Sequence, residues 1–467
     1  MLETYSGFNT LGIIGAMLLL GIFLRSKVKI FQQYLVPAAI IGGLAGFFLI
    51  NFEIIPFTSD RFIPFTLHAF NISFMSLCLT RSRTTKKDPN ATKEYLRGSM
   101  WLTMTWSTTF AIQALAGALA LWLFNIVSGG SLSHAYGFLV THGFTQGPGQ
   151  GLAIGGMWEE NFNVENARNI GLIYANIGFL VAFIIGVPIA KYLVSRNLNT
   201  NKKATISPEF LKGIYDRSKK QSMGNETTVS ANVETLAVHI AVLGFAYMLT
   251  YFWLSWAVQH LAGLPGGTYF NFGFFFLHGL VICLLIRTAM EKLGCAHLLD
   301  HGVQCHITGL AVDIMLVASF MSVKMAILKA YIVPILIVCL AATLVTLMLI
   351  WFFGRRLQHL GPERMVTTIG CCCGATANGL LLLRILDPDY STSVSLELAF
   401  FNVAIVAVTF PLLGFVSPLV PGMNVLELVT YYGVFGIITT ACLYALGKMN
   451  FSPKEEVPAA ATASQQI

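Results

Sequence analysis

The chain has 467 residues, of which 55% are hydrophobic and only 11% are charged; its mean hydropathy is +0.69 and its formal net charge is +7. Soluble domains carry roughly a quarter charged residues, so a large soluble domain is excluded and a polytopic α-helical membrane protein is implied. The positive charge sits mainly in short loops, where it orients helices, and gives no argument for nucleic acid.

In chain order, apolar runs predict helices over 8–24, 34–51, 62–80 and 99–125, then a broken segment over 141–158 and a helix over 168–191. The first run lacks a basic region before it and a cleavage site after it, and reads as a retained helix. A Lys/Ser/Thr/Asn-rich linker fills 195–235. Helices over 236–259, 268–286, 303–323 and 330–353 follow, then a second broken segment over 366–386 and a helix over 391–416. An extra helix over 425–447 leads to a small, polar tail, 458–467, that is expected to be disordered. The organisation expected is a first repeat over 1–194, the linker, a second repeat over 236–420, and a terminal segment over 421–467. The nine cysteines are odd in number and lie mostly in apolar runs, so they read as reduced thiols.

Loop charge orients this arrangement. Arg25, Lys27 and Lys29, the cluster Arg81–Arg97, and Lys191, Arg196, Lys202 and Lys203 share one side if each broken segment returns to the face it started from. Positive loops mark the cytoplasm, which places the N-terminus outside and the C-terminus inside. Lys324 and Lys329 fall on the outer side, against the pattern. The two halves then run in opposite directions, each with five helices and one re-entrant hairpin: an inverted repeat.

The broken segments carry the chemistry. The first contains Thr145, Gln146 and the run Gly147-Pro-Gly-Gln-Gly151; the second contains Gly374-Ala-Thr-Ala-Asn-Gly379. Irregular backbone in a bilayer leaves N–H and C=O groups unpaired unless protein or water covers them. Paired interruptions at corresponding places point to the binding site of a secondary transporter; a kinked helix with packing glycines is the competing reading for each alone. Freed carbonyls suit a cation and freed N–H groups at a half-helix start suit a carboxylate; Thr145, Gln146 and Gln150 add side-chain donors and acceptors, Thr145 and Gln146 towards the ion and Gln150 towards the substrate. Gly374, Ala375, Thr376, Asn378 and Gly379 offer the same in the second segment.

Asn176 and Asn402 sit in the apolar helices after each hairpin, at similar distances from Gly151 and Gly379. Each is a ligand to ion or substrate, or an interhelical hydrogen bond. Asn71 invites the same pair of readings. Asp313, alone in an uncharged helical run, is a functional candidate by default, against a carboxylate paired with a neighbouring cation. Arg384 offers bidentate geometry to a substrate carboxylate, or snorkels and pairs with Asp387 and Asp389. Cys371-Cys-Cys373 lacks metal-ligand spacing, and no P-loop is present, so ATP-driven transport is unsupported.

At these residues the chain resembles the bacterial glutamate:sodium symporter family. Leu35-Val-Pro-Ala-Ala-Ile-Ile-Gly-Gly43 resembles the family's Pro-x-x-x-x-Gly-Gly helix, Gly186-Val-Pro-Ile-Ala-Lys-Tyr-Leu-Val194 its Gly-Gly-Pro-x-Ala-Arg-Tyr-Leu-Val, and Gly374-Ala-Thr376 its Gly-Ala-Thr-Pro; Gln113 falls on a family glutamine. The resemblance implies an inverted-repeat, elevator-type secondary transporter in the inner membrane. It also implies a homodimer that imports glutamate with sodium as coupling ion and without an organic cofactor or enzymatic activity. By motif matching it gives a binding role to Gly147, Gly149, Gln150 and Gly151 and to Gly374, Ala375, Thr376 and Asn378. The chain departs from the family within both hairpins: Gln146-Gly-Pro-Gly-Gln-Gly151 replaces Gly-Gly-His-Gly-Thr-Gly, and Ala377 replaces the proline after Gly-Ala-Thr. A different small carboxylate, proton coupling, or a passive channel are the alternatives. An embedded enzyme or sensor would call for a metal cluster or nucleophile–base set, and the sequence offers none.

Overall fold

A computed structural model describes residues 2–79, 89–202, 207–219, 222–264, 267–357, 359–388 and 391–448. The described residues form helices and no strand. The expected disordered tail, the basic residues Arg81, Arg83, Lys86, Lys87 and Lys203, and Asp389 lie outside them. Four helices open the chain: α1 (Leu2–Lys27), α2 (Ala38–Asn51), α3 (Ile63–Leu79) and α4 (Pro89–Ser128). The first broken segment is α5 (Ala135–Phe144) and α6 (Pro148–Phe162), followed by α7 (Ala167–Ser195). After the linker come α8 (Thr235–Leu261), α9 (Phe275–Lys292), α10 (His301–Met321) and α11 (Met325–Gly354). The second broken segment is α12 (Gly361–Cys372) and α13 (Thr376–Leu386), followed by α14 (Val394–Phe410) and α15 (Val425–Lys448).

Ten helical segments among the described residues are long and apolar enough to cross a bilayer. Large side chains such as Phe8, Leu19, Met348 and Ile437 are exposed on them, as a lipid-facing surface requires. The chain is therefore a multi-pass membrane protein.

Two helices differ from the sequence expectation. The run over 34–51 breaks at Leu35, whose φ is +51°, and at Pro37, so α2 has only 14 residues. At about 1.5 Å per residue it is about 21 Å long, short of a hydrocarbon core of about 30 Å. It is held by close backbone contact with α1: a methyl on Gly42 would stand 2.1 Å from the Met17 carbonyl oxygen, and one on Gly21 2.0 Å from that of Ala38. The run over 391–416 is regular only to Phe410. Pro411 cannot donate a helical hydrogen bond, and the chain continues as a π turn (Pro411–Val416) and a 3₁₀ turn (Ser417–Gly422).

Packing places the two broken segments together. α7 contacts α5 and α6 on one side and α12 and α13 on the other; α3 packs on α10, and α4 packs on α5, α11, α14 and α15. A fully buried ion pair ties the second segment to its neighbour. Arg364 Nε and Nη2 donate to Glu397 Oε2 and Oε1 at 2.8 and 2.6 Å, Ser393 Oγ donates to Oε1 at 2.8 Å, and neither charged side chain is exposed. Gly98 on α4 makes room for it, since a methyl there would stand 2.1 Å from Glu397 Cδ.

The linker is not a free tether. Asn199 Nδ2 donates to the Leu386 carbonyl at 3.3 Å, Thr200 N donates to Glu363 Oε1 at 2.5 Å, and Arg25 Nη2 donates to the Phe210 carbonyl at 3.3 Å. Lys324, the exception to the loop-charge pattern, pairs with Asp60 at 2.8 Å; both are well exposed, so the pair contributes little. All nine cysteines are free thiols.

Candidate functional site

Each broken segment is an end-to-end pair of half-helices. Gly147 ends the first turn-back at φ +83° and ψ −175°, a backbone region that only glycine enters readily, and Pro148 then starts α6 at the position where a missing N–H costs nothing. In the second segment the chain leaves α12 at Cys373, extends through Ala375 at φ −155° and ψ 167°, and restarts at Thr376. The two turns touch: a methyl on Gly147 would stand 3.3 Å from the Gly374 carbonyl oxygen.

Where they meet there is a cavity of about 240 Å³. Thr145, Gln146, Gly147, Pro148 and Gln150 line it from the first segment, and Ala375, Thr376, Ala377 and Leu380 from the second. The remaining wall is apolar and aromatic: Phe70 and Phe74 of α3, Trp106 of α4, Phe276 of α9, Val312 and Met315 of α10, and Ile405 and Val406 of α14. Ser73, Thr308, Asn402 and Thr409 add polar groups, and no lining residue is charged. The N-terminal ends of α6 and α13 both open on this space, with backbone N–H groups that have no earlier turn to bond to.

Second-layer contacts hold the polar groups. Thr376 Oγ1 donates to Asn402 Oδ1 at 2.8 Å, joining α13 to α14 across the wall. Gln146 Oε1 lies 2.7 Å from His142 Nδ1, and Thr145 Oγ1 donates to the Thr141 carbonyl at 2.5 Å. Gln150 is 2% exposed, and its Oε1 has no hydrogen-bond partner. A buried amide oxygen left free in a cavity wall is a vacant acceptor for a ligand.

The structure thus brings Thr145, Gln146, Gly147, Gln150, Ala375, Thr376 and Asn402 to one cavity. The other candidates stand elsewhere. Gly149 backs onto α3, where a methyl would stand 1.9 Å from Phe70 Cγ. Gly151 backs onto α7, 2.6 Å from the Gly171 carbonyl oxygen by the same measure, and Gly379 onto α12, 2.5 Å from Cys371 Sγ. Gly374 faces the Asn378 amide, which is buried behind the turn with Nδ2 unpartnered. Asn176 Nδ2 donates to the Ser319 carbonyl at 3.2 Å and its Oδ1 accepts from Ser319 Oγ at 2.9 Å, so the side chain bonds α7 to α10. Asn71 is buried and interacts with the Tyr247 hydroxyl. Asp313 is half-buried beside cavity-lining Val312 without lining the cavity itself. Arg384 is exposed, with its guanidinium 5.7 Å from the centre of the Phe210 ring, away from the cavity. The aromatic wall had no sequence signal, because Phe70, Trp106 and Phe276 meet only through tertiary packing.

The contact at Gly149 gives a testable expectation. Gly149→Ala forces a methyl into Phe70 and should cost about 1–3 kcal/mol, as overpacking does. Trimming the obstacle, Phe70→Ala in the Gly149→Ala background, should return part of the loss in apparent Tm. A double variant no more stable than Gly149→Ala would show that the contact is not the cause.

A family model described as sodium/glutamate symporter matches residues 4–381, from α1 into α13, leaving α14 and α15 beyond the match. A protein of Haemophilus influenzae described as a sodium/glutamate symporter is 23% identical over 250 residues, which cover 51% of this chain and 56% of that protein. The aligned region is thus little more than half the length of that relative.

Proposed function

Because this chain belongs to the sodium/glutamate symporter family, we propose that it is a secondary active transporter that carries glutamate inward with sodium. The family is one of transporters and not of enzymes. The observation that carries the reading is the meeting of two half-helix turns at a cavity onto which the N-terminal ends of α6 and α13 open, with a vacant amide oxygen in its wall. The starts of α6 and α13 present positive dipole ends to the substrate carboxylates. Carbonyls at the ends of α5 and α12, with hydroxyl and amide oxygens such as Gln150 Oε1, suit a partly dehydrated sodium ion. With no charged residue in the wall, substrate and cation neutralise each other in a low-dielectric space, which is a physical origin for coupling. The cavity, about 240 Å³ with Phe70, Phe276 and Leu413 in its wall, suits glutamate or a carboxylate of like size.

The same reading gives the chain an inverted repeat, with α1–α7 and α8–α14 running in opposite senses and the N-terminus outside. The pairing of third helix on third (α3 on α10) and fourth on fourth (α4 on α11) supports it. The two hairpins with α7 would be the body that moves, and the assembly a homodimer in the inner membrane. Linkage supplies the test. If glutamate and sodium stabilise each other, sodium raises glutamate affinity and glutamate raises sodium affinity by the same factor. Titration of the detergent-solubilised chain with glutamate in sodium and in choline should show that factor at about tenfold or more, within the usual range of coupling energies. Equal glutamate affinity in both salts would reject sodium coupling.

A further inference from the structure

His142 is a buried imidazole that the reading above does not use. It sits on α5, fully buried, with the Phe110 ring at 5.4 Å and the Trp158 ring at 6.2 Å between centroids. Nδ1 lies 2.7 Å from Gln146 Oε1, and Nε2 has no hydrogen-bond partner. The Trp158 Nε1 donor is committed to the Ser417 carbonyl at 2.8 Å.

We propose that His142 is a positioning residue that turns Gln146 into a hydrogen-bond donor for an acidic group of the substrate. The tautomer follows from what each nitrogen meets. A proton on Nε2 would be a buried donor without an acceptor, whereas a lone pair there is the cheaper unpaired group. The proton therefore sits on Nδ1 and donates to Gln146 Oε1. That bond occupies the amide oxygen and leaves the amide N–H groups to the cavity, which Gln146 lines. An amide held this way repels a cation and receives a carboxylate. Gln146 then belongs with substrate recognition, and the vacant oxygen of Gln150, one turn on, is left for sodium. The assignment rests on the transport reading above and deepens it.

The test uses the full chain in detergent, with radiolabelled glutamate at saturating sodium and radiolabelled sodium alone as probes. His142→Leu removes the donor and frees the amide to turn; glutamate affinity should fall about tenfold or more, with sodium binding unchanged, since a bond to a charged group carries that much. His142→Asn keeps a donor near the Nδ1 position and should stay within about threefold of wild type. Gln146→Glu replaces the donor with an acceptor at the cavity wall and should abolish glutamate binding while retaining sodium. Equal loss of both ligands, or of neither, in His142→Leu overturns the proposal; if that variant does not fold, glutamate binding retained by Gln146→Glu overturns it. Wild-type protein that binds no glutamate at any sodium concentration overturns the transport reading itself, and this assignment with it.

Discussion

Replacing Glu397 by Gln should destabilise the protein by about 3–5 kcal/mol, because it takes the bidentate carboxylate away from a guanidinium that is itself wholly buried. Both side chains are wholly buried, and the pair is bidentate, so little water can enter to solvate the arginine. The pair joins α12 to α14, and α4 closes over it at Gly98. Loss of the carboxylate therefore loosens the base of the second hairpin as well as the charge balance. Removing both charges with groups of like volume, Arg364→Met with Glu397→Leu, should cost much less than either single change, since neither half of the bidentate pair is then left behind. Thermal unfolding of the purified protein in detergent reads this directly. A Glu397→Gln variant with near wild-type Tm would show that water reaches the pair.

Gly147→Ala should abolish glutamate uptake, with at least a tenfold loss. At φ +83° and ψ −175° an alanine is strained by about 1–3 kcal/mol, and the added methyl meets the Gly374 carbonyl. Relief of that strain moves the turn at which α6 starts, and with it the N–H groups and Gln150 that face the cavity. Gly129 provides the control. It also has a positive φ, +66°, but nothing lies within 4 Å of where its methyl would go. Gly129→Ala also places a side chain at a positive φ and should leave uptake unchanged. Equal uptake by both variants would remove the first turn from the transport mechanism.

Much of the site was legible because its signal is local. Gly147-Pro-Gly interrupts a helix wherever it falls, and apolar flanks leave such a break only a buried or watery place. Gln150, Thr376 and Asn402 are polar groups within largely apolar runs. What sequence could not give was direction. Gly149, Gly151 and Gly379 look like site residues by position, yet their missing side chains admit Phe70, the α7 backbone and Cys371. Asn176 and Asn402 look equivalent, but one is consumed by Ser319 and the other faces the cavity. Spacing along one helix does not say which neighbour its face meets.

The charged pair was missed for a related reason. Glu397 lies in an apolar helix, where a lone carboxylate is costly and therefore a signal. Its partner Arg364 stands just before the expected start of the second hairpin, at 366, so sequence proximity did not join them. The linker read as a polar tether by composition, yet Phe210 and Thr200 fasten it to Arg25 and Glu363. Arg384 looked suited to a carboxylate, but α13 points it to the linker side, over Phe210.

The central claim is that sodium entry drives glutamate accumulation through the cavity between the two turns. Glutamate uptake into proteoliposomes, with and without an inward sodium gradient, tests it most directly. The account predicts accumulation above the external concentration that requires the gradient and is lost in Gly147→Ala. Uptake that only equilibrates, or that is the same in sodium and in choline, would contradict it.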